Sequence, residues 1–186
     1  MRKSALVGAV GAFMLSNAAA NAALIFQASL SGGAQVPPVI SSATGSATVT
    51  LENDNTTLDV DVTFSGLTGG PATAAHIHCC APVTGNGPVA LPFTGFPSAT
   101  SGTYTNTFDL TTDLTGITLA AFLTGLELGM AYVNIHDAVF PEGEIRGQLS
   151  QVVPEPSAIG ILGLGAIAAF ALTRRQQVNR KWRHEA

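Results

Sequence analysis

Lysine and arginine are almost missing from the middle of this 186-residue sequence. Residues 23–151 carry ten acids and a single base, Arg146. Binding to a phosphate backbone needs clustered cations, so nucleic acid is excluded as a partner. Charge of any sign is scarce, at 11% of residues, and mean hydropathy is +0.35. That is too apolar for a disordered chain. Cysteine is limited to Cys79 and Cys80, which excludes a disulfide-rich scaffold and a four-cysteine zinc site. No G-x-S-x-G elbow or other nucleophile motif occurs, which speaks against Ser/His/Asp catalysis and for a non-enzymatic protein.

What is present is segregated. Residues 1–22 hold Arg2 and Lys3 and no acid, then a short apolar run from Ala5 to Leu15, then Ala20-Asn21-Ala22. This is the order of a secretory signal with an A-x-A cleavage site. The run is far shorter than the ~20 residues of a spanning helix, which argues for removal of residues 1–22 rather than anchoring. Amino-terminal sequencing of the exported protein should start at Ala23; a mature chain beginning at Met1 would refute the assignment.

At the other end, Pro154-Glu155-Pro156 precedes an apolar stretch, Ala158 to Leu172, followed by Arg174-Arg175. With Ser157 and Thr173 the stretch is about 25 Å long as a helix, a marginal membrane span. Its Gly and Ala content suits a disposable anchor, and the bases behind it should stay cytoplasmic. Val153-Pro154-Glu155-Pro156-Ser157, the Gly/Leu/Ala-rich helix and Arg174-Arg175 together resemble the PEP-CTERM sorting signal of Gram-negative bacteria, over residues 152–175. The resemblance implies a precursor held in the inner membrane. It also implies an exosortase-type processing enzyme that cleaves near Pro154, Glu155 and Pro156, and delivery to the cell surface or extracellular matrix. Residues 176–186 extend past the usual end of such signals and read as a basic cytoplasmic tail.

Between these ends, residues 23–151 form one domain. Nineteen threonines and a set of short alternating runs make it all-β. In Leu58 to Phe64, Leu58, Val60, Val62 and Phe64 share one face, and Asp59, Asp61 and Thr63 the other. Ala47, Val49 and Leu51 alternate in the same way, and turn formers from Glu52 to Thr56 join the two runs as a hairpin. Further strands are expected over Ile25–Leu30, Ala74–His78, Val89–Phe93, Thr103–Leu110, Ala131–His136 and Glu144–Leu149. Only Thr118–Leu128 reads as a helix, stopped by Gly129. Many short strands separated by Gly, Pro and Asn predict an antiparallel sandwich or barrel with one short helix.

The chemistry-bearing residues are histidines. His76-Ile77-His78 lies on an expected strand, so both imidazoles point to one face. Asn134-Ile135-His136 repeats that geometry. If the two strands are neighbours with Ile77 and Ile135 inward, then His76, His78 and His136 make one surface cluster, with Glu144 and Arg146 of matching parity beside it. Three imidazoles suit copper or zinc with one open position; the alternative is a polar network that pins two strands. Cys79 and Cys80 follow directly. They allow a vicinal disulfide, a pair of free thiols, intermolecular bonds, or soft copper ligands beside His76 and His78.

A second resemblance runs through the domain. Gly33-Ala34-Gln35-Val36-Pro37-Pro38, Ala43-Thr44-Gly45-Ser46-Ala47, Phe64-Ser65-Gly66-Leu67-Thr68, Ala75-His76-Ile77-His78, Gly87-Pro88-Val89, Ala131 through His136, and Pro141 through Leu149 stand in the order of the CHRD domain. This resemblance implies a β-sandwich or barrel, similar in architecture to copper/zinc superoxide dismutase or else immunoglobulin-like, with no established general activity. The dismutases' fuller histidine set is missing here, so their activity does not carry over. The expectation is an exported, surface-sorted binding or structural module that engages matrix polysaccharide or a surface protein. The runner-up is a copper- or zinc-binding protein, redox-active in one version, built on the histidine cluster.

Overall fold

Alternation of small β-formers with threonine leaves each strand one apolar face, and pairing in register joins those faces into one wall. In the computed structural model, which describes residues 22–153, every expected strand is present. The signal segment, and the sorting residues Pro154, Glu155, Pro156, Arg174 and Arg175 with their apolar stretch and tail, lie outside the described residues. The strands are β1 (Leu24–Ser31), β2 (Thr44–Leu51), β3 (Thr57–Ser65), β4 (Ala74–His78), β5 (Val89–Pro92), β6 (Gly102–Asp109), β7 (Tyr132–His136), β8 (Ile145–Gln148) and β9 (Ser150–Val152). They pair antiparallel in one curled sheet of order β5-β4-β7-β8-β1-β2-β3-β6, with β9 also on β1. The all-β expectation holds.

Register explains the core. Phe26 pairs with Val49 and Val49 with Val60; Ala28 pairs with Ala47, Ala47 with Val62 and Val62 with Tyr104. All of these are buried on the inner face of the curl. Each fully buried aliphatic side chain contributes roughly 1.5–3 kcal/mol. On the outer face, Thr105 and Thr107 donate to Asp61 and Asp59 at 2.7 and 2.6 Å, as a solvated polar row. The hairpin between β2 and β3 closes on Asp54, which accepts the Thr56 and Thr57 N–H groups at 2.8 Å, with Asn55 left-handed at φ 58°.

The single helix, α1 (Leu119–Glu127), starts where Thr118 caps the Ala121 N–H and stops at Gly129, φ 65°. It buries Phe122, Gly125 and Leu126. Cys79 and Cys80 are joined as a vicinal disulfide whose sulfurs pack on Gly125. A Cβ at Gly125 would collide with both sulfurs, so no larger residue fits there without moving the helix.

Two elements have no warning in the sequence: the 3-10 turn Gly32–Ala34 and strand β9. The turn leads the chain over the outer face of β7 and β8. As a result β7 is buried on both faces, unlike the other long alternating strands, which keep one face toward solvent.

Candidate functional site

The outer face of β4 and β7 builds the site. The two strands pair with His76 opposite Asn134, His78 opposite Tyr132 and Ala74 opposite His136. Side chains opposite one another share a face, so all three histidines project together while Ile77 and Ile135 enter the core. One donor nitrogen from each of His76, His78 and His136 lies within 4.8 Å of the others.

Two of the imidazoles are oriented by carbonyls. His78 Nδ1 lies 2.9 Å from the Gly87 carbonyl oxygen, and His136 Nδ1 lies 2.9 Å from that of Pro141. A carbonyl only accepts, so in both rings Nδ1 carries the hydrogen and Nε2 presents a lone pair. This is how metal-binding histidines are commonly held from behind. His78 Nε2 is buried and has no hydrogen-bond partner among the described residues. His76 Nδ1 faces His136 Nε2 at 3.3 Å. Bonds of about 2.0–2.1 Å to a tetrahedral metal place ligand nitrogens about 3.3–3.4 Å apart. The His76–His136 edge therefore already has the spacing of a zinc or copper site.

All three histidines are held neutral. Burial, then the neighbouring His136 and His78, lowers His76 to about 4; burial also lowers His78 and His136. In the metal-free protein, His76 Nδ1–H can donate to His136 Nε2. Metal uptake then needs only a tautomer change at His76. Ordinary histidines would lose metal below about pH 6.5; burial moves that loss to lower pH.

Around the histidines, side-chain amides are committed to one another. Gln35 Nε2 donates to Asn134 Oδ1 at 2.6 Å, and Asn134 Nδ2 donates to the Glu142 carbonyl at 3.0 Å. Asn86 Nδ2 donates to the Val36 carbonyl at 2.7 Å, tying the loop before β5 to the loop after β1. Between those loops and the sheet opens a cleft of about 450 Å³, with His78, His136, Tyr132, Asn134 and Glu142 among its walls.

Arg146 and Glu144 share the expected parity, but neither completes the cluster. Arg146 is 1% exposed and lies over the Tyr132 ring, its guanidinium carbon 3.5 Å from the centroid. Tyr132 in turn stacks on His78, with centroids 4.8 Å apart. The guanidinium donates to Asn86 Oδ1 and Gln148 Oε1. Glu144 turns away because better partners lie elsewhere: it accepts from the Ser41 hydroxyl and from the Thr68 N–H and hydroxyl, the latter two at 2.8 and 2.5 Å. Burial works against the Glu144 charge, but hydrogen bonds from Asp137, Ser41 and Thr68 outweigh it and hold the group at about 2. Asp137 is pushed up from the ordinary carboxylate range, first by burial and then by its closeness to Glu144.

Cys79 and Cys80 do not join the imidazoles; their sulfurs lie inward, against α1. The residues missed in the sequence are those that orient and enclose: Gln35, Asn86, Gly87, Tyr132 and the Pro141 carbonyl. Gly87 and Tyr132 stood there only within family motifs, Gly87-Pro88-Val89 and Ala131 through His136, and a carbonyl that orients a ring has no signature at all.

Two families match the chain. The CHRD domain matches residues 26–149, and the PEP-CTERM protein-sorting motif matches residues 152–175. No curated protein and no solved structure matches it. The sorting motif marks an exported, surface-sorted protein whose membrane-held precursor is handled by an exosortase-type enzyme. The domain match spans two thirds of the chain and includes every strand of the histidine site, so the protein belongs to the CHRD domain family.

Proposed function

We propose that this is a non-enzymatic, surface-displayed module that binds a transition metal, Cu(II) or Zn(II), through His76, His78 and His136. The observation that carries the reading is the oriented, unpartnered Nε2 of His78, on a ring whose cluster with His76 and His136 brings one nitrogen of each within 4.8 Å of the others. A buried lone pair without a donor is costly, by about 1–3 kcal/mol, and a metal ion relieves that cost. Three neutral nitrogens favour copper and zinc, whereas calcium seeks oxygen cages.

Isothermal calorimetry on the purified protein should show one equivalent of Cu(II) or Zn(II) at neutral pH and no comparable binding of calcium. Each ring must lose its proton to bind metal. Affinity should therefore hold to a lower pH than ordinary histidines would allow, fall as His78 and His136 protonate, and be gone by about pH 4, where His76 protonates too. A protein that takes up no metal at neutral pH ends the proposal.

Surface display supplies the setting in which such a module meets matrix polysaccharide or a surface protein. Its finer steps are open to test. Replacing Pro154-Glu155-Pro156 by three alanines should leave an unprocessed precursor in the membrane, and surface-localised wild-type protein should lack the segment after Pro156. Normal processing of the alanine variant would make the segment an ordinary anchor.

A further inference from the structure

Resting on the metal reading, we infer that the bound ion keeps its fourth coordination position open toward the cleft and takes there a carboxylate from outside the protein. The ligand count is the first reason. The group that converges is three histidines with no acid among them. Asp137, next to His136 in the chain, stands outside that group, and its Oδ1 accepts from the Val139 and Phe140 N–H groups at 2.9 and 2.8 Å. Three protein nitrogens leave a tetrahedral ion one position short, which is the arrangement of a zinc site that accepts an outside ligand.

Space is the second reason. His78 and His136 line the cleft of about 450 Å³, and its opposite wall is the loop bearing Gln35, Val36 and Val39. With two of the three ligands on its wall, an ion held by the imidazoles would border that volume on the side of His78 and His136. It is ample for a carboxylate carried on a sugar-sized body.

Charge and hydrogen bonding choose the ligand class. A divalent ion on neutral imidazoles brings two positive charges. Behind them, across the Tyr132 ring, lies the Arg146 guanidinium, bonded to two neutral acceptors, Asn86 and Gln148. Glu142 is the single acid lining the cleft. The amides of Gln35, Asn86 and Asn134 each spend a hydrogen bond on one another or on the backbone, so a neutral polyol is left with their remaining hydrogens and lone pairs and gains nothing from the ion's charge. An oxyanion needs only the metal, at the ordinary carboxylate–zinc distance of about 2.0–2.2 Å. The carboxylate has two chemical sources, a free small acid or a uronate residue of an acidic polysaccharide.

The test uses the full chain in detergent, loaded with Cu(II), with the His76→Ala/His136→Ala variant as blank. Azide should add a charge-transfer band, and acetate and trigalacturonate should displace it, while neutral maltotriose should not. Displacement by trigalacturonate at tenfold or more below the acetate concentration identifies a uronate polymer as the source. Equal potency per carboxylate identifies a free acid. Val39→Trp, which fills the far wall, should keep copper and weaken carboxylate at least tenfold; unchanged carboxylate affinity would overturn the cleft position. Stoichiometric copper with no spectral response to azide or to either carboxylate would mean a closed coordination sphere and overturn the inference, with the metal reading intact. Failure to bind copper at all would instead overturn the metal reading on which it rests.

Discussion

Replacing Glu144 by glutamine should destabilise the domain by about 3–5 kcal/mol, the cost of removing one member of a buried charged network. Glu144 is fully buried and gathers donors from two separate segments, Ser41 on the loop after β1 and Thr68 on the loop after β3. Glutamine keeps one acceptor oxygen and aims an NH2 at groups that also donate, so at least one donor is stranded. Both loops should loosen together, and the loop after β1 is a wall of the cleft. Urea denaturation measures the loss directly, and a change below about 1 kcal/mol would show that the network is not structural. The pH profile gives an independent check. The folded carboxyl, at about 2, lies below its ordinary 4.5. Its stabilisation is therefore complete above pH 4.5 and is lost as pH falls toward 2. The glutamine variant should lack that portion of the acid sensitivity.

The His76→Ala/His136→Ala double variant should lose metal affinity by at least about 100-fold, more than the removal of an outer partner costs, because one ligand of three remains. Its fold should survive. The variant gives up the His136 hydrogen bond to the Pro141 carbonyl and the bond between the two rings, about 1 kcal/mol each. His76 is half-buried on the outer face, and the inward residues of the same strands, Ile77 and Ile135, are untouched. Calorimetry and circular dichroism on the same sample separate the two roles. A folded variant that no longer binds metal supports the site. A variant that unfolds, from a wild type that never binds metal, would mean that the histidines serve to pin β4 to β7.

Everything that depends on the local period of the chain was legible in the sequence. A period of two along Leu58–Phe64 decides which side chains face inward wherever the strand ends up. The same period put His76 with His78, and Asn134 with His136, on common faces. Thr118 and Gly129 bracketed the helix to within a residue or two, because capping is a neighbour-to-neighbour hydrogen bond. The CHRD motifs and the Pro-Glu-Pro signal were also readable, as linear strings.

Only the tertiary structure decided what lies side by side. β4 and β7 are separated in sequence by β5, β6 and α1, yet they are hydrogen-bonded neighbours, and the three-histidine cluster exists only because of that pairing. Parity placed Glu144 beside the histidines, but parity says nothing of the hydroxyls and N–H groups that two distant loops bring within reach, and these drew it away. The turn after β1 buries the outer face of β7, which alternation alone would leave in water. That burial lowers the histidine pKa values and walls in the cleft. Periodicity is a property of consecutive residues, whereas adjacency, burial and hydrogen-bond competition belong to segments far apart in the chain.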